Sequence, residues 1–417
     1  LGSYKSMDNV EVAWVIDADR RRAKDAPNTT TDLRKALEDK NLDAVSVATP
    51  NHWHSLAVIL CAQAGKHCYV EKPASHDIYE GRVALEAAKK YGVVIQHGTQ
   101  QRSDQGRANM IKAIHSGKYG KLAVAHGFCC KPRSGIGHKP VEAPPEWLDW
   151  NQWRGPAKIE YHGNLVHYNW HWFWPTGNGD LNNQGTHQLD VAFWSLDPAL
   201  TAPVRAMALG GRFAWDDQGE TPNTMFAIAE YPNGQKVFFN VRNVNYKGYQ
   251  HEVKNDFYFE DGGKILGSTY ISPSGKEEKV QGEPAEITPG GPFGAFVAAC
   301  RAGDPSMSNA NMEIAHYSCL LGHVMNNSYR IGKKAPFNKK AGRFGDDKLA
   351  YEEFAKVHEI MRDGVGVPED KAEYTVGPWL TFDPKTERFT GERADEANKL
   401  VRDPRNEEFD IPTPDKV

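Results

Sequence analysis

Two side chains in this sequence are of the kind that handle protons inside a cleft. They are Lys72, in Glu71-Lys72-Pro73, and His187, in Asn182-Asn183-Gln184-Gly185-Thr186-His187-Gln188-Leu189-Asp190. A lysine at a strand end in a cleft loses basicity through desolvation and can donate a proton or polarise a carbonyl. A histidine, titrating near ~6.5 when unperturbed, can accept a proton from an alcohol at neutral pH. If the chain from Asn183 to Leu196 is helical, Leu189, Ala192, Phe193 and Leu196 share an apolar face, and Asn183, His187, Asp190 and Trp194 stripe the other. That stripe carries a tryptophan and neither Lys nor Glu, which suits the wall of a polar pocket better than a solvated surface.

Six of the eleven tryptophans fall between Trp147 and Trp174. Tyr168, Trp170, Trp172 and Trp174 alternate, and in an extended chain they would share one face. Aromatic faces bury apolar area without demanding hydrogen bonds, so such a concentration is either a core plug or a wall that stacks on a flat or sugar-like ligand. Most of these rings read as core. His162, His167 and His171 add polar handles, and Tyr168, His171, Trp172, Asn183 and His187 are the expected substrate-binding set.

These residues need a frame, and the first 130 or so residues supply one. Val10–Ile16, Ala44–Ala48, Cys68–Val70, Val93–Ile95 and Leu122–Ala125 are β-prone. Between them lie the helical segments Ser55–Ala64, Ile78–Tyr91 and Ala108–His115, closed by Gly65, Gly92 and Gly117 where a helix C-cap favours glycine. Alternating strand and helix implies a parallel, doubly wound α/β sheet of the dinucleotide-binding kind, expected over residues 1–122. Asp17, closing Val-Glu-Val-Ala-Trp-Val-Ile-Asp, fits the acidic residue that receives an adenosine ribose and repels a 2′-phosphate, favouring NAD over NADP, although Arg20 and Arg21 could tolerate a phosphate. The Gly-rich turn belongs about 20 residues before such an acid. Counting back runs off the chain, so Leu1–Met7 reads as the tail of the first helix, with the first strand and Gly-rich loop expected upstream. Thr49, Pro50, Asn51 and His54 follow the next strand at its carboxyl end, where ligands bind in open α/β sheets. His52 and His54 form an H-x-H, but nothing nearby completes a zinc set, and no metal is expected.

Beyond residue 122 the pattern changes. Met225–Tyr231 and Gln235–Val241 flank Pro-Asn-Gly, and Asp256–Glu260 and Lys264–Leu266 flank Asp-Gly-Gly. These hairpins predict a second, α+β domain with a mostly antiparallel sheet over 123–417, for substrate binding and oligomerisation. Helices are expected at Gly294–Arg301, Met312–Tyr329 and Lys348–Arg362, with a charged tail wrapping the surface from about 365. Lys and Arg number 50 against 54 Asp and Glu, a formal charge of −4, which argues against a nucleic-acid partner. The longest apolar run, Leu56–Ala62, is too short to span a bilayer. The six cysteines show no disulfide or metal spacing and read as reduced packing residues.

Ala-Thr-Pro-Asn-His-Trp-His, Glu-Lys-Pro, His-Gly-Thr-Gln-Gln-Arg and Asn-Gln-Gly-Thr-His-Gln-Leu-Asp, in this order and spacing, make the chain resemble the Gfo/Idh/MocA oxidoreductases, and its bacterial, sugar-directed members in particular. The resemblance implies a Rossmann domain holding NAD(P), with Asp17, Thr49, Pro50, Asn51, His54, Glu71, Lys72 and Gln100 near the cofactor. It also implies a catalytic lysine at Lys72, a proton-transfer histidine at His187, and a homo-oligomer, dimer or tetramer. Many dehydrogenase members carry an aspartate four residues before that histidine. Here the residue is Asn183, which can position a hydroxyl but cannot take a proton; Asp180 is a nearby carboxylate that could take its place. The activity so implied is hydride transfer between NAD and a carbinol carbon of a sugar, glycoside or cyclic polyol. The alternative is an NAD-dependent glycosidase working through transient oxidation, elimination, water addition and re-reduction. Some sugar-directed members are exported by the twin-arginine route, so the compartment, cytoplasmic or periplasmic, stays open.

Overall fold

A computed structural model describes residues 2–417. Strands and helices alternate at first: α1 (Gly2–Lys5), β1 (Trp14–Ile16), β2 (Asn28–Thr30), α2 (Leu33–Leu37), β3 (Ala44–Val47), α3 (His54–Gln63), β4 (His67–Val70), α4 (Ile78–Tyr91), β5 (Ile95–His97) and α5 (Gln105–His115). All five strands pair in parallel, in two pieces, β1–β2 and β3–β4–β5.

Local chemistry fixes the best-defined of these helices. Asp77 caps α4 by accepting from the Glu80 N–H at 2.9 Å, and Gly92, at φ 61°, ends it in the left-handed region that an L side chain disfavours. The first β-prone stretch is shorter than expected, since only Trp14–Ile16 pairs, and the strand expected at Val93–Ile95 runs instead over Ile95–His97.

The second sheet begins with β6 (Leu122–Cys130), more than twice the expected length because both its edges are paired. It lies parallel to β9 (Lys236–Arg242) and antiparallel to β10 (Glu252–Phe259). After α6 (Trp150–Arg154) and α7 (Thr186–Ser195), the strands β7 (Arg205–Gly211) and β8 (Thr224–Glu230) continue the sheet beyond β9. The turn joining β8 to β9 is the expected one, with Gly234 at φ 88°. β11 (Lys264–Leu266), β12 (Thr269–Ile271) and β13 (Glu277–Lys279) extend the other edge as a meander.

The helices α8 (Gly291–Ala302), α9 (Met312–Arg330) and α10 (Lys348–Glu359) lie close to their expected places, and a π-helical turn carries α10 on through Val365. Leu189 of α7 and Leu320 and Val324 of α9 pack with Phe239 in one core, while Phe354 and Met361 pack with Phe226 and Phe238 in another. Of the cysteines, Cys300 is half-buried and the other five are buried, all as free thiols.

The tail does more than wrap the surface. β15 (Glu373–Val376) and β16 (Leu380–Asp383) pair with β7, with β14 (Lys333–Pro336) and β17 (Arg388–Thr390) outside them. Val401, Phe409, Ile411 and Val417 are buried. Arg405, also buried, meets Asp77 at 2.7 Å and Glu80 at 2.5 Å, so the tail's charge is matched inside the fold rather than left in water.

Candidate functional site

The carboxyl ends of β3, β4 and β5 lead into Thr49, Glu71-Lys72 and Gln100, the edge where an open α/β sheet binds ligands. The loop before α7 closes on this edge from the second domain. Lys72 Nζ donates to Asn183 Oδ1 at 3.2 Å, bringing the two key motifs into contact across 111 residues. α7 is anchored behind by Asp190, which is not part of an open polar stripe. Asp190 is buried, accepts from Arg102 Nε at 2.9 Å with each carboxylate oxygen, and accepts from Ser318 Oγ at 2.6 Å.

Burial depresses the Lys72 pKa, with Glu71 and Asp180 pulling the other way. His187 is half-buried, and desolvation followed by the charges of Lys72 and Lys131 pushes its pKa down to about 4. Its ring is therefore neutral at pH 7 and able to accept a proton. Asp180 supplies a carboxylate beside them. Burial alone would raise its pKa, but hydrogen bonds from Arg133 and the charges of His171, Arg133 and Lys72 outweigh this and hold it below the usual range. Arg133 reaches it with Nε at 2.9 Å and Nη2 at 3.1 Å, and Asn243 Nδ2 donates at 2.9 Å. Arg133 Nη1 also donates to the Tyr168 hydroxyl at 2.8 Å. His171 Nδ1 lies 2.7 Å from the Tyr168 carbonyl, its buried Nε2 has no partner, and burial pushes its pKa to about 4.

The aromatic segment does not run extended. Asn169–Trp172 form a 3-10 turn, so the alternation does not put its rings on one face. Trp172, expected at the substrate wall, is 2% exposed and sits edge-on to Trp215 with Arg212 over it, a core ring. Tyr168 is 53% exposed with its hydroxyl held by Arg133, and Trp170 and Trp174 are half-buried.

On the cofactor side, Asp17 ends β1 half-buried, its Oδ1 accepting from the Asp19 N–H at 2.9 Å. Arg20 is tied to the Glu146 carbonyl and Asp149, and Arg21 to Asp19 at 2.7 Å with its guanidinium 3.6 Å above Trp147. Thr49 is exposed and Pro50 half-buried. Asn51 is fully buried with both amide atoms unpartnered, a donor and acceptor that a bound nucleotide could satisfy. His54, expected among the cofactor contacts, has both ring nitrogens on backbone carbonyls, Thr49 at 2.8 Å and Pro73 at 2.5 Å, and thereby joins the two motif turns. Glu71 accepts from the Lys72 N–H at 3.3 Å, and from Gln100 Nε2 at 3.5 Å. A Cβ on Gly98 would lie 2.9 Å from Glu71 Oε2, which explains a glycine there.

Sequence reasoning passed over Lys131, Arg133 and His97. The first two leave the carboxyl end of β6, and only the strand's true length places them at the site. His97 ends β5 with both ring nitrogens buried and unpartnered, and its position at a strand's carboxyl end was the available signal. Among the described residues, His76, Asp77 and Asp403 lie close enough to share a metal ion, but the Arg405 guanidinium already sits on Asp77.

Residues 2–99 match the family model described as "Oxidoreductase family, NAD-binding Rossmann fold", and residues 108–263 match the GFO/IDH/MocA C-terminal domain. The chain belongs to the Gfo/Idh/MocA oxidoreductase family. Scyllo-inositol 2-dehydrogenase (NAD(+)) of Bacillus subtilis is 36% identical over 97 residues, 23% of this chain and 28% of that protein. Levoglucosan dehydrogenase of Pseudarthrobacter phenanthrenivorans is 26% identical over 192 residues, 44% of this chain and 43% of that protein. The chain thus spans less than half the length of these curated relatives. Solved structures share the fold over more of it. A levoglucosan dehydrogenase in complex with NADH and levoglucosan superposes with a TM-score of 0.55 at 17% identity, over 75% of this chain and 87% of that one. A probable dehydrogenase from Thermotoga maritima gives 0.54 at 17% identity, over 78% and 92%. Among the described residues no helix is long and apolar enough to cross a membrane.

Proposed function

We propose that this Gfo/Idh/MocA protein is an NAD-dependent oxidoreductase that moves a hydride between nicotinamide and a carbinol carbon of a sugar, glycoside or cyclic polyol. The observation that carries the reading is the Lys72–Asn183 contact, which sets an ammonium at the mouth of the nucleotide edge, beside the loop that leads into α7 and close enough for its charge to act on the neutral His187. The similarity to inositol and levoglucosan dehydrogenases supports the substrate class.

Asp17, Thr49 and the unpartnered amide of Asn51 would hold NAD, which when bound supplies the acceptor for the hydride. In alcohol oxidation the carbinol C–H bond breaks with its electron pair leaving carbon. The O–H bond breaks as its proton passes to the His187 ring, and the oxygen pair closes the carbonyl. Lys72, cationic beside that oxygen, lowers the cost of the negative charge that develops on it. Asn183 holds the ammonium in place. Asp17 supports NAD over NADP, because its carboxylate would repel a 2′-phosphate and Arg20 and Arg21 are both paired elsewhere.

Purified protein given NAD and a panel of sugars, glycosides and inositols should form NADH with at least one of them. His187→Ala and Lys72→Ala should each cost roughly 10²–10⁴ in kcat with NADH binding retained. Near-wild-type turnover by His187→Ala would sink the proton path, and aglycone release without net NADH would establish the glycosidase chemistry instead.

A further inference from the structure

The cleft carries more positive charge than its own carboxylates offset. Lys72, Lys131 and Arg133 bring three cations, against Asp180 and Glu71. Asp180 is committed to Arg133 by two hydrogen bonds. Glu71 bonds the Lys72 backbone N–H rather than its ammonium, which rests on the neutral Asn183 amide instead. Lys131 forms no ion pair among the described residues. Its backbone is pinned beside Asp180, since one Asn243 side chain donates both to the Lys131 carbonyl at 3.0 Å and to Asp180 at 2.9 Å. Lys131 follows β6 on the face of Gly127 and Cys129, which lie against Gln188 and pack with Leu189 of α7, so its side chain leaves the strand on the α7 side, where its charge is felt by His187. The side chain is half-buried, where an unmatched ammonium is held at a cost in solvation. A ligand anion would offset that cost, whereas a neutral polyol would not.

Resting on the reading of this cleft as the substrate site, we propose that the sugar bears an anionic group, a carboxylate or a phosphate ester, which Lys131 receives. The Arg133–Asp180–Tyr168 assembly forms the fixed wall behind it. A lysine ammonium is a compact point charge that accepts either anion, while Arg133 is already taken up by a carboxylate of the chain.

The test is a calorimetric titration of the full chain with NADH present, using glucose, glucuronate and glucose 6-phosphate as probes. At least one anionic probe should bind about tenfold tighter than glucose, with the preference falling as salt is added. The carboxylate and phosphate arms identify which group is taken. Lys131→Gln should remove the preference, and Lys131→Arg should keep most of it. Equal affinity for all three probes, failure of both anions to bind, or a preference that survives Lys131→Gln would overturn the proposal. Anion-dependent binding that responds to Lys131 without NADH formation from any alcohol would uphold it and count against the dehydrogenase reading alone.

Discussion

Replacing Asn183 by aspartate puts a carboxylate where the structure has an amide touching Lys72 Nζ at 3.2 Å, in the loop just before α7 and four residues before His187. In the wild type, burial and then Lys72 and Lys131 push the His187 pKa down to about 4. Taking a separation of about 6 Å and an effective dielectric of about 20, the added carboxylate would favour the imidazolium by roughly 2.8 kcal/mol, enough to raise its pKa by about two. Lys72 would sit on the new carboxylate and return part of this, so the expected rise is about one to two, to between ~5 and ~6. The sign is definite. A higher pKa means that the ring is protonated, and lost as a base, at a higher pH. Activity of the wild type should be flat down to ~pH 5, whereas Asn183→Asp should already be falling near ~pH 6. Ring-carbon NMR of histidine-labelled protein reads the pKa directly, with His187→Gln identifying the signal, and needs no substrate. A His187 resonance that titrates at the same pH in both proteins would refute the electrostatic account of this site.

Arg405→Ala leaves Asp77 and Glu80 buried without their cation and should cost roughly 3–5 kcal/mol, read as a large fall in melting temperature; an unchanged transition would contradict the pairing. Trp172→Ala should destabilise by about 3–5 kcal/mol as a core truncation, while Tyr168→Ala, at an exposed position, should leave the melting temperature within a degree or two and weaken sugar binding. Asp17→Ser should narrow the preference for NAD over NADP measured by calorimetry, and an unaltered ratio would remove Asp17 from the ribose site.

Much of the frame was legible in the sequence because it is written in local terms. Strand–helix alternation, the Asp77 and Gly92 caps of α4 and the Pro-Asn-Gly hairpin depend on residues a few positions apart, and period and turn chemistry report them. The motif residues could likewise be placed at strand ends, since a parallel sheet puts every such end on one edge. Which of them meet, and on what terms, was decided by tertiary closure. The aromatic alternation predicted one face for Trp172 and its neighbours, but the chain turns there and Trp172 enters the core. His54 looked free for a cofactor until two backbone carbonyls converged on its ring. Asp190 belonged to a polar stripe by periodicity, yet pairs with Arg102, 88 residues earlier. The charged tail read as solvated because local composition cannot reveal that Arg405 will find Asp77 across 328 residues. Hydrophobic period is a property of neighbours in sequence and therefore visible there. The balance of charge in a cleft is a sum over residues that only the closed chain brings together, and for Lys72, Lys131, Arg133 and Asp180 the fold alone sets that sum.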